Sequence, residues 1–169
     1  GIVASGCMSQ FGFEVIGADM SVDKVNKLSS GESPIFEPGL DELISKGIDR
    51  GNLHFTNDLK SAVNDVEFVF LMFDTPVNSN DEVDISNILS TVELIAPKLS
   101  DGCTIWNTSQ VPVGTSEILS SKINEINPSL NFSIVYSPEN LRLGNAIYLF
   151  NNPALPVLGS NDKSALIRM

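Results

Sequence analysis

A chain of 169 residues is long enough for one domain with a sizeable buried core. Hydrophobic residues at 42% and charged residues at 18% argue against disorder, and a net charge of −11 argues against non-specific nucleic-acid binding, which needs a basic surface. Any phosphate-bearing ligand must then be held by local features such as helix N-termini. No apolar run approaches the ~18 residues of a membrane span. Cys7 and Cys103 stand far apart with no metal-ligand spacing, so the expected setting is reducing and cytoplasmic, with no metal site.

In chain order, segments of helical period alternate with short runs rich in Val, Ile and Phe, the pattern of βα units around a parallel sheet. Residues 2–11 place Ile2, Val3, Met8 and Phe11 at near-helical spacing, with Gly12 as the C-cap. FEVIGAD (13–19) reads as a buried strand ending in a carboxylate. Ser21 caps a short helix carrying Val22, Val25 and Leu28, which Gly31 ends. SPIFEPG (33–39) is a turn-rich loop before a helix through Leu40, Leu43 and Ile44. LHF (53–55) is a short strand, and Asn57 or Asp58 caps the helical turn after it. VEFVFLMF (66–73) is the strongest strand signal, a near-continuous apolar run of the kind buried on both faces. DTPVNSNDEVD (74–84) is a polar loop, and 85–99 a helix through Ile85, Ile88, Leu89, Val92 and Ile95. CTIWNTS (103–109) and FSIVYSP (132–138) are strands separated by a loop and a helix, and PALPVLG (153–159) reads as one more strand.

In a dinucleotide-binding βαβ unit, a glycine-rich turn leads into a helix whose N-terminus holds the pyrophosphate. The next strand ends in an acid that accepts hydrogen bonds from the adenosine ribose. Here a helix begins right after Gly1, and the strand behind it ends at Asp19. The spacing fits if Gly1 is the last glycine of that turn. The expectation is then a single α/β domain over 1–169, Rossmann-type and doubly wound with a mainly parallel sheet, lacking its first strand and incomplete at the N-terminus. Without that central strand, the edges at 13–19 and 66–73 would be unpaired and the isolated chain poorly soluble or self-associating. A carboxylate at Asp19 repels a 2′-phosphate, so NAD is preferred over NADP. Spacing alone is equally met by an aspartate that merely ends a strand. Lys24 can reach the ribose or the phosphates, but on spacing alone it better suits a solvated helix charge.

Two other strand ends carry unusual loops, Asp74-Thr75-Pro76 and Gln110-Val111-Pro112-Val113-Gly114-Thr115. Ligands of open α/β sheets bind outside the carboxyl ends of strands, which is where both loops lie. Thr75 and Ser109 offer hydroxyls, and the prolines hold the backbone in non-helical shapes. Taken singly, each loop is also an adequate strand-to-helix turn.

Glu37-Pro38-Gly39-Leu40, Thr75-Pro76, Val111-Pro112-Val113-Gly114-Thr115 and Ser137-Pro138-Glu139-Asn140-Leu141-Arg142-Leu143-Gly144 occur in the order and spacing of one family. From Gly1 to about Gly159 the chain resembles the UDP-glucose/GDP-mannose dehydrogenases. The resemblance implies that the parent protein oxidises the primary alcohol of a nucleotide-sugar to a carboxylate with two NAD molecules in succession. It implies an N-terminal NAD-binding domain, a central helix that makes a homodimer or higher homo-oligomer, and a C-terminal domain for the substrate's nucleotide. It further implies a cysteine that attacks the aldehyde intermediate, and hydrolysis of the resulting thioester. On this likeness Gly1, Asp19, Lys24, Asp74, Thr75, Pro76, Leu143 and the Ser109–Gln110–Val111 loop contact NAD. Glu139, Asn140, Leu141, Arg142 and Leu143 line the sugar site. Glu139 positions or activates the hydrolytic water, a task for a carboxylate with a suitable pKa.

The chain departs from the family's pattern at Gln110, where a threonine is usual, and at Asn140 and Leu143, where phenylalanine and glutamate are usual. On the resemblance a threonine hydroxyl there helps hold the catalytic water, so Gln110 is a catalytic candidate beside Glu139; it can donate and accept through its amide, but from a longer arm. Cys7 and Cys103 do not fall where the family has its reactive cysteine. That cysteine, with the catalytic lysine and asparagine, is expected after Met169, so this chain alone is not expected to turn over substrate. Two other readings stand beside this one. They are an NAD-dependent dehydrogenase of the same fold acting on a hydroxy acid or acyl thioester, and a non-catalytic nucleotide-binding remnant.

Overall fold

The computed structural model describes residues 1–168. Its elements in order are α1 (Ile2–Gln10), β1 (Val15–Ala18), α2 (Val22–Ser29), α3 (Leu40–Arg50), β2 (Leu53–Thr56), α4 (Leu59–Ala62), β3 (Phe68–Leu71), α5 (Ser86–Ile95), β4 (Cys103–Asn107), α6 (Thr115–Ile126), β5 (Phe132–Tyr136), α7 (Ala146–Asn151) and α8 (Lys163–Arg168). The strands pair in parallel, with helices in the connections, as in Rossmann-type α/β folds. Two compact units divide the chain, residues 1–62 with 140–155 and residues 63–139 with 156 onward. Among the described residues no helix is long and apolar enough to cross a membrane.

In the first unit, β1 runs parallel to β2, from Val15 opposite Leu53 to Ala18 opposite Thr56. The strand is less buried than FEVIGAD suggests. Val15 packs on the unit's core, whereas Ile16 on the opposite face is 45% exposed. The core gathers Val3 and Cys7 of α1, Leu28 of α2, Leu40, Leu43 and Ile44 of α3, Leu53 of β2 and Ala146 of α7. Polar ties complete it. The buried Asn52 amide donates to the carbonyls of Ser9 (2.9 Å) and Phe13 (3.0 Å), fixing the turn between α1 and β1. The Ser21 hydroxyl caps α2 by accepting from Lys24 N. Asp58 caps α4, its carboxylate accepting from Ser61 N at 3.1 Å.

In the second unit, β4 lies between β3 and β5, with Phe68 opposite Thr104 and Cys103 opposite Phe132. Val69 and Leu71 are buried, and Phe70 stacks on Trp106 with ring centroids 4.7 Å apart. The helix after the polar loop is shorter than its apolar pattern. Pro97 lacks the N–H that would continue α5, and the chain tightens into a 3-10 turn over Ala96–Lys98. The loop at 74–84 is itself ordered by an antiparallel bridge between Val77 and Val83. The strand expected over 153–159 does not form. Pro153 and Pro156 have no N–H to give a ladder, and only Gly159 pairs, exchanging backbone hydrogen bonds with Tyr136 at 2.8 and 2.9 Å. α7 and α8 are short helices of six residues each that the sequence pattern does not signal.

Candidate functional site

In the first unit, the start of α1 and the end of β1 meet. The Ser5 amide and hydroxyl both donate to the Gly1 carbonyl, at 2.9 and 3.1 Å, closing the first helical turn. Beside that turn lies Gly17, the strand residue two before Asp19. A Cβ at Gly17 would sit 2.5 Å from the Phe55 ring and 3.6 Å from the Ser5 hydroxyl. A side chain at Gly17 would therefore require the Phe55 ring or β1 to shift. α1 has no side-chain cap and no acid in its first turn, so the positive end of its dipole is unopposed by a nearby carboxylate of the same helix.

Asp19 extends the ladder by one more bond, its N–H donating to the Thr56 carbonyl at 3.2 Å. Its carboxylate then turns towards α2. One oxygen accepts from Ser21 N at 2.9 Å, and the other accepts from the Lys24 ammonium at 3.2 Å. The Asp19 side chain remains 40% exposed and that of Lys24 54%. An ionised carboxylate has about four lone-pair sites, so capacity remains for hydroxyl donors. The Ser5 turn of α1 thus lies beside Gly17 near the end of β1, and Lys24 pairs with Asp19 just past that end. The donor set of a helix N-terminus beside an exposed strand-end carboxylate fits the pyrophosphate and ribose of a dinucleotide.

In the second unit, the loops after β3, β4 and β5 are stitched to one another. The Ser109 hydroxyl, buried at 4% exposure, accepts from Phe73 N at 2.8 Å and donates to the Leu71 carbonyl at 3.4 Å. The Thr75 hydroxyl donates to the Gln110 carbonyl at 2.7 Å. The Gln110 amide donates to the Glu139 carbonyl at 3.1 Å, and Glu139 N donates to the Thr108 carbonyl at 3.1 Å. Among the described residues the half-buried Glu139 carboxylate takes no hydrogen bond, so it is available to a ligand or a water. Asp74, Pro76 and Gln110 are exposed, while Val111 is half-buried. Cys103 at the start of β4 is buried, and burial pushes its thiol up from the usual range, away from a nucleophilic thiolate.

The Asn140–Gly144 stretch belongs to the first unit. Leu141 packs on the core, Asn140 and Arg142 are exposed, and Leu143 is 70% exposed. Glu37, whose sequence signal is only its place in the EPGL motif, organises this stretch. The buried Glu37 carboxylate accepts from Gly144 N (2.6 Å) with one oxygen. With the other it accepts from Ala146 N (2.8 Å) and Ile147 N (3.3 Å). It therefore caps α7 from a loop 109 positions before Ala146 in the chain. No local spacing signals such bonds, since their ends lie 107 to 110 positions apart in the chain.

The model of the UDP-glucose/GDP-mannose dehydrogenase family, NAD binding domain, matches residues 1–169. UDP-glucose 6-dehydrogenase of Rhizobium meliloti (strain 1021) is 38% identical over 169 residues, covering 99% of this chain and 39% of its own length. GDP-mannose 6-dehydrogenase of Pseudomonas syringae pv. syringae is 30% identical over 172 residues, covering 98% of this chain and 39% of its own. Among solved structures, a GDP-mannose dehydrogenase from Pseudomonas aeruginosa superposes with a TM-score of 0.94 at 32% identity, covering 99% of this chain and 40% of that one. The chain therefore spans about two fifths of the length of the relatives it matches.

Proposed function

Since the chain belongs to the UDP-glucose/GDP-mannose dehydrogenase family as its NAD-binding domain, we propose that the whole protein oxidises the primary alcohol of a UDP- or GDP-sugar to the uronate in two hydride transfers. When bound, NAD supplies the hydride acceptor. The observation that carries the reading is Asp19, a half-exposed carboxylate at the end of β1 beside the first turn of α1. There it accepts hydrogen bonds from the adenosine ribose and disfavours a 2′-phosphate. Lys24 holds that carboxylate by an ion pair, and the α1 N-terminus from Gly1 faces the pyrophosphate. Asp74, Thr75 and Pro76, with Ser109, Gln110 and Val111, line the cofactor largely through backbone, because the hydroxyls of Thr75 and Ser109 are engaged by the fold itself.

Residues Glu139, Asn140, Leu141, Arg142 and Leu143 take the sugar, and Leu143 also reaches the cofactor. Glu139 holds the hydrolytic water through a carboxylate that the fold leaves uncommitted. Its position is set by its backbone, tied to Thr108 and Gln110. Gln110 acts by placing Glu139, to whose carbonyl its amide donates. The parent protein works as a homodimer or higher homo-oligomer in the cytoplasm.

The test is turnover by the full-length protein with NAD and, in parallel, UDP-glucose and GDP-mannose, followed by NADH formation. The expected result is two NADH per sugar with one of the two substrates, and little turnover with NADP. One NADH per molecule, or oxidation of a hydroxy acid in place of both sugars, overturns the proposal. Calorimetric titration that detects no NAD binding favours a non-catalytic remnant.

A further inference from the structure

The Asn140–Gly144 segment presents three exposed side chains, Asn140, Arg142 and Leu143, on a stretch with little secondary structure of its own. Within the first unit it is anchored at two points. One is Leu141 in the core, and the other is the amide cluster of Gly144, Ala146 and Ile147 gathered on Glu37. Gly144 has φ +88, a left-handed conformation that lets the chain turn from the segment into α7 and aims its N–H at the carboxylate. A buried carboxylate that accepts three backbone N–H bonds is a stiff clamp. Each bond to an ionised acceptor is shorter and stronger than a neutral one, and any amide left unserved there pays its desolvation cost.

From this clamp we infer that Glu37 is a positioning residue for substrate: its carboxylate fixes the Asn140–Leu143 segment in the shape that receives the nucleotide-sugar. The inference rests on the functional reading above, which assigns that segment to the sugar. The carboxylate touches neither sugar nor cofactor. It acts by removing the entropy that a loose segment would lose on binding, which shows chiefly as substrate affinity, because four of the segment's residues serve the sugar and Leu143 alone also reaches the cofactor. Glutamate is required over its amide because both oxygens are used as acceptors. In Glu37→Gln one acceptor becomes an NH2 group that faces a backbone N–H.

The experiment compares the full-length wild type with Glu37→Gln, using NAD with UDP-glucose and with GDP-mannose. For the sugar that the wild type oxidises, KM rises by about five- to tenfold in the variant, while KM for NAD stays within about twofold. Unchanged KM for the sugar, with only a lower melting temperature or a lower kcat, overturns the inference and makes Glu37 a structural cap alone. Should the variant fail to fold, hydrogen exchange on the unmodified protein decides. The amides of Gly144, Ala146 and Ile147 are expected to be protected before any sugar is added. Protection that appears only with substrate overturns the idea. A wild type that oxidises neither sugar sinks the functional reading and this inference with it, whereas turnover with an unaltered KM in the variant sinks this inference alone.

Discussion

The Ser5 hydroxyl oxygen lies 3.6 Å from the point where a side chain on Gly17 would begin, so the first turn of α1 and the last residues of β1 share one edge. The same point is only 2.5 Å from the Phe55 ring. Gly17→Ala therefore forces Phe55 or β1 to shift. Overpacking of this kind costs about 1–3 kcal/mol, read as a lower urea midpoint. Because β1 carries Asp19 two residues on, NAD binding by the full-length variant is expected to weaken as well. A variant of unaltered affinity would mean that Phe55 alone absorbs the strain.

The Asp19 carboxylate is half-exposed and joined to Lys24 and Ser21. In Asp19→Asn the amide keeps one acceptor but loses the charge that opposes a 2′-phosphate. Hydrogen bonds to charged groups are worth about 1.5–3 kcal/mol, so NAD affinity falls by roughly ten- to a hundredfold. The ratio of NAD to NADP affinity narrows at the same time. Isothermal titration with both cofactors measures the two effects, and an unchanged ratio would take Asp19 out of cofactor choice.

Ser109 separates a fold role from a cofactor role. Its hydroxyl is 4% exposed and joins Phe73 N to the Leu71 carbonyl. Ser109→Ala leaves that N–H without its partner, a loss of about 1–3 kcal/mol. The expected outcome is a clearly lower urea midpoint with NAD affinity changed by less than about twofold, since the backbone of the loop is retained. A selective loss of NAD binding in a protein of normal stability would show that the hydroxyl itself reaches the cofactor.

Much of this architecture is legible from short-range pattern. Ser21 before Val22, Val25 and Leu28 signals a capped helix because both cap and periodicity are local, and α2 begins at Val22. The run at 66–73 signals a strand, but the ladder keeps only Phe68–Leu71, since Phe73 N bends away to the Ser109 hydroxyl. Asp19 at the close of its strand is legible because strand pattern and carboxylate are adjacent in the chain, and its N–H does extend the ladder to Thr56. Glu37 is not, because its partners at Gly144–Ile147 are brought to it only by tertiary packing. The apolar run at 153–159 misleads because hydrophobicity marks burial or strand only where the backbone can also donate, and Pro153 and Pro156 cannot.

Asp162 gives the chain an acid-sensitive tie. One carboxylate oxygen accepts from the Ser133 hydroxyl on β5. The other accepts from Ser164 N (2.8 Å) and the Ser164 hydroxyl (2.7 Å) at the start of α8. The Ser133 bond, then those from Ser164, hold the carboxyl down to about 2 from an ordinary 3.8. A folded-state value below the unfolded one stabilises the native protein above pH ~3.8 and loses that contribution as pH falls towards ~2. Asp162→Ala is therefore expected to melt below the wild type at neutral pH, and the gap should close as the pH falls through that window. Melting curves of both proteins taken stepwise into acid read the difference directly, so the shared acid unfolding of other carboxylates cancels. A gap that stays constant down to pH ~2 would mean that the contribution of Asp162 is packing, independent of its charge.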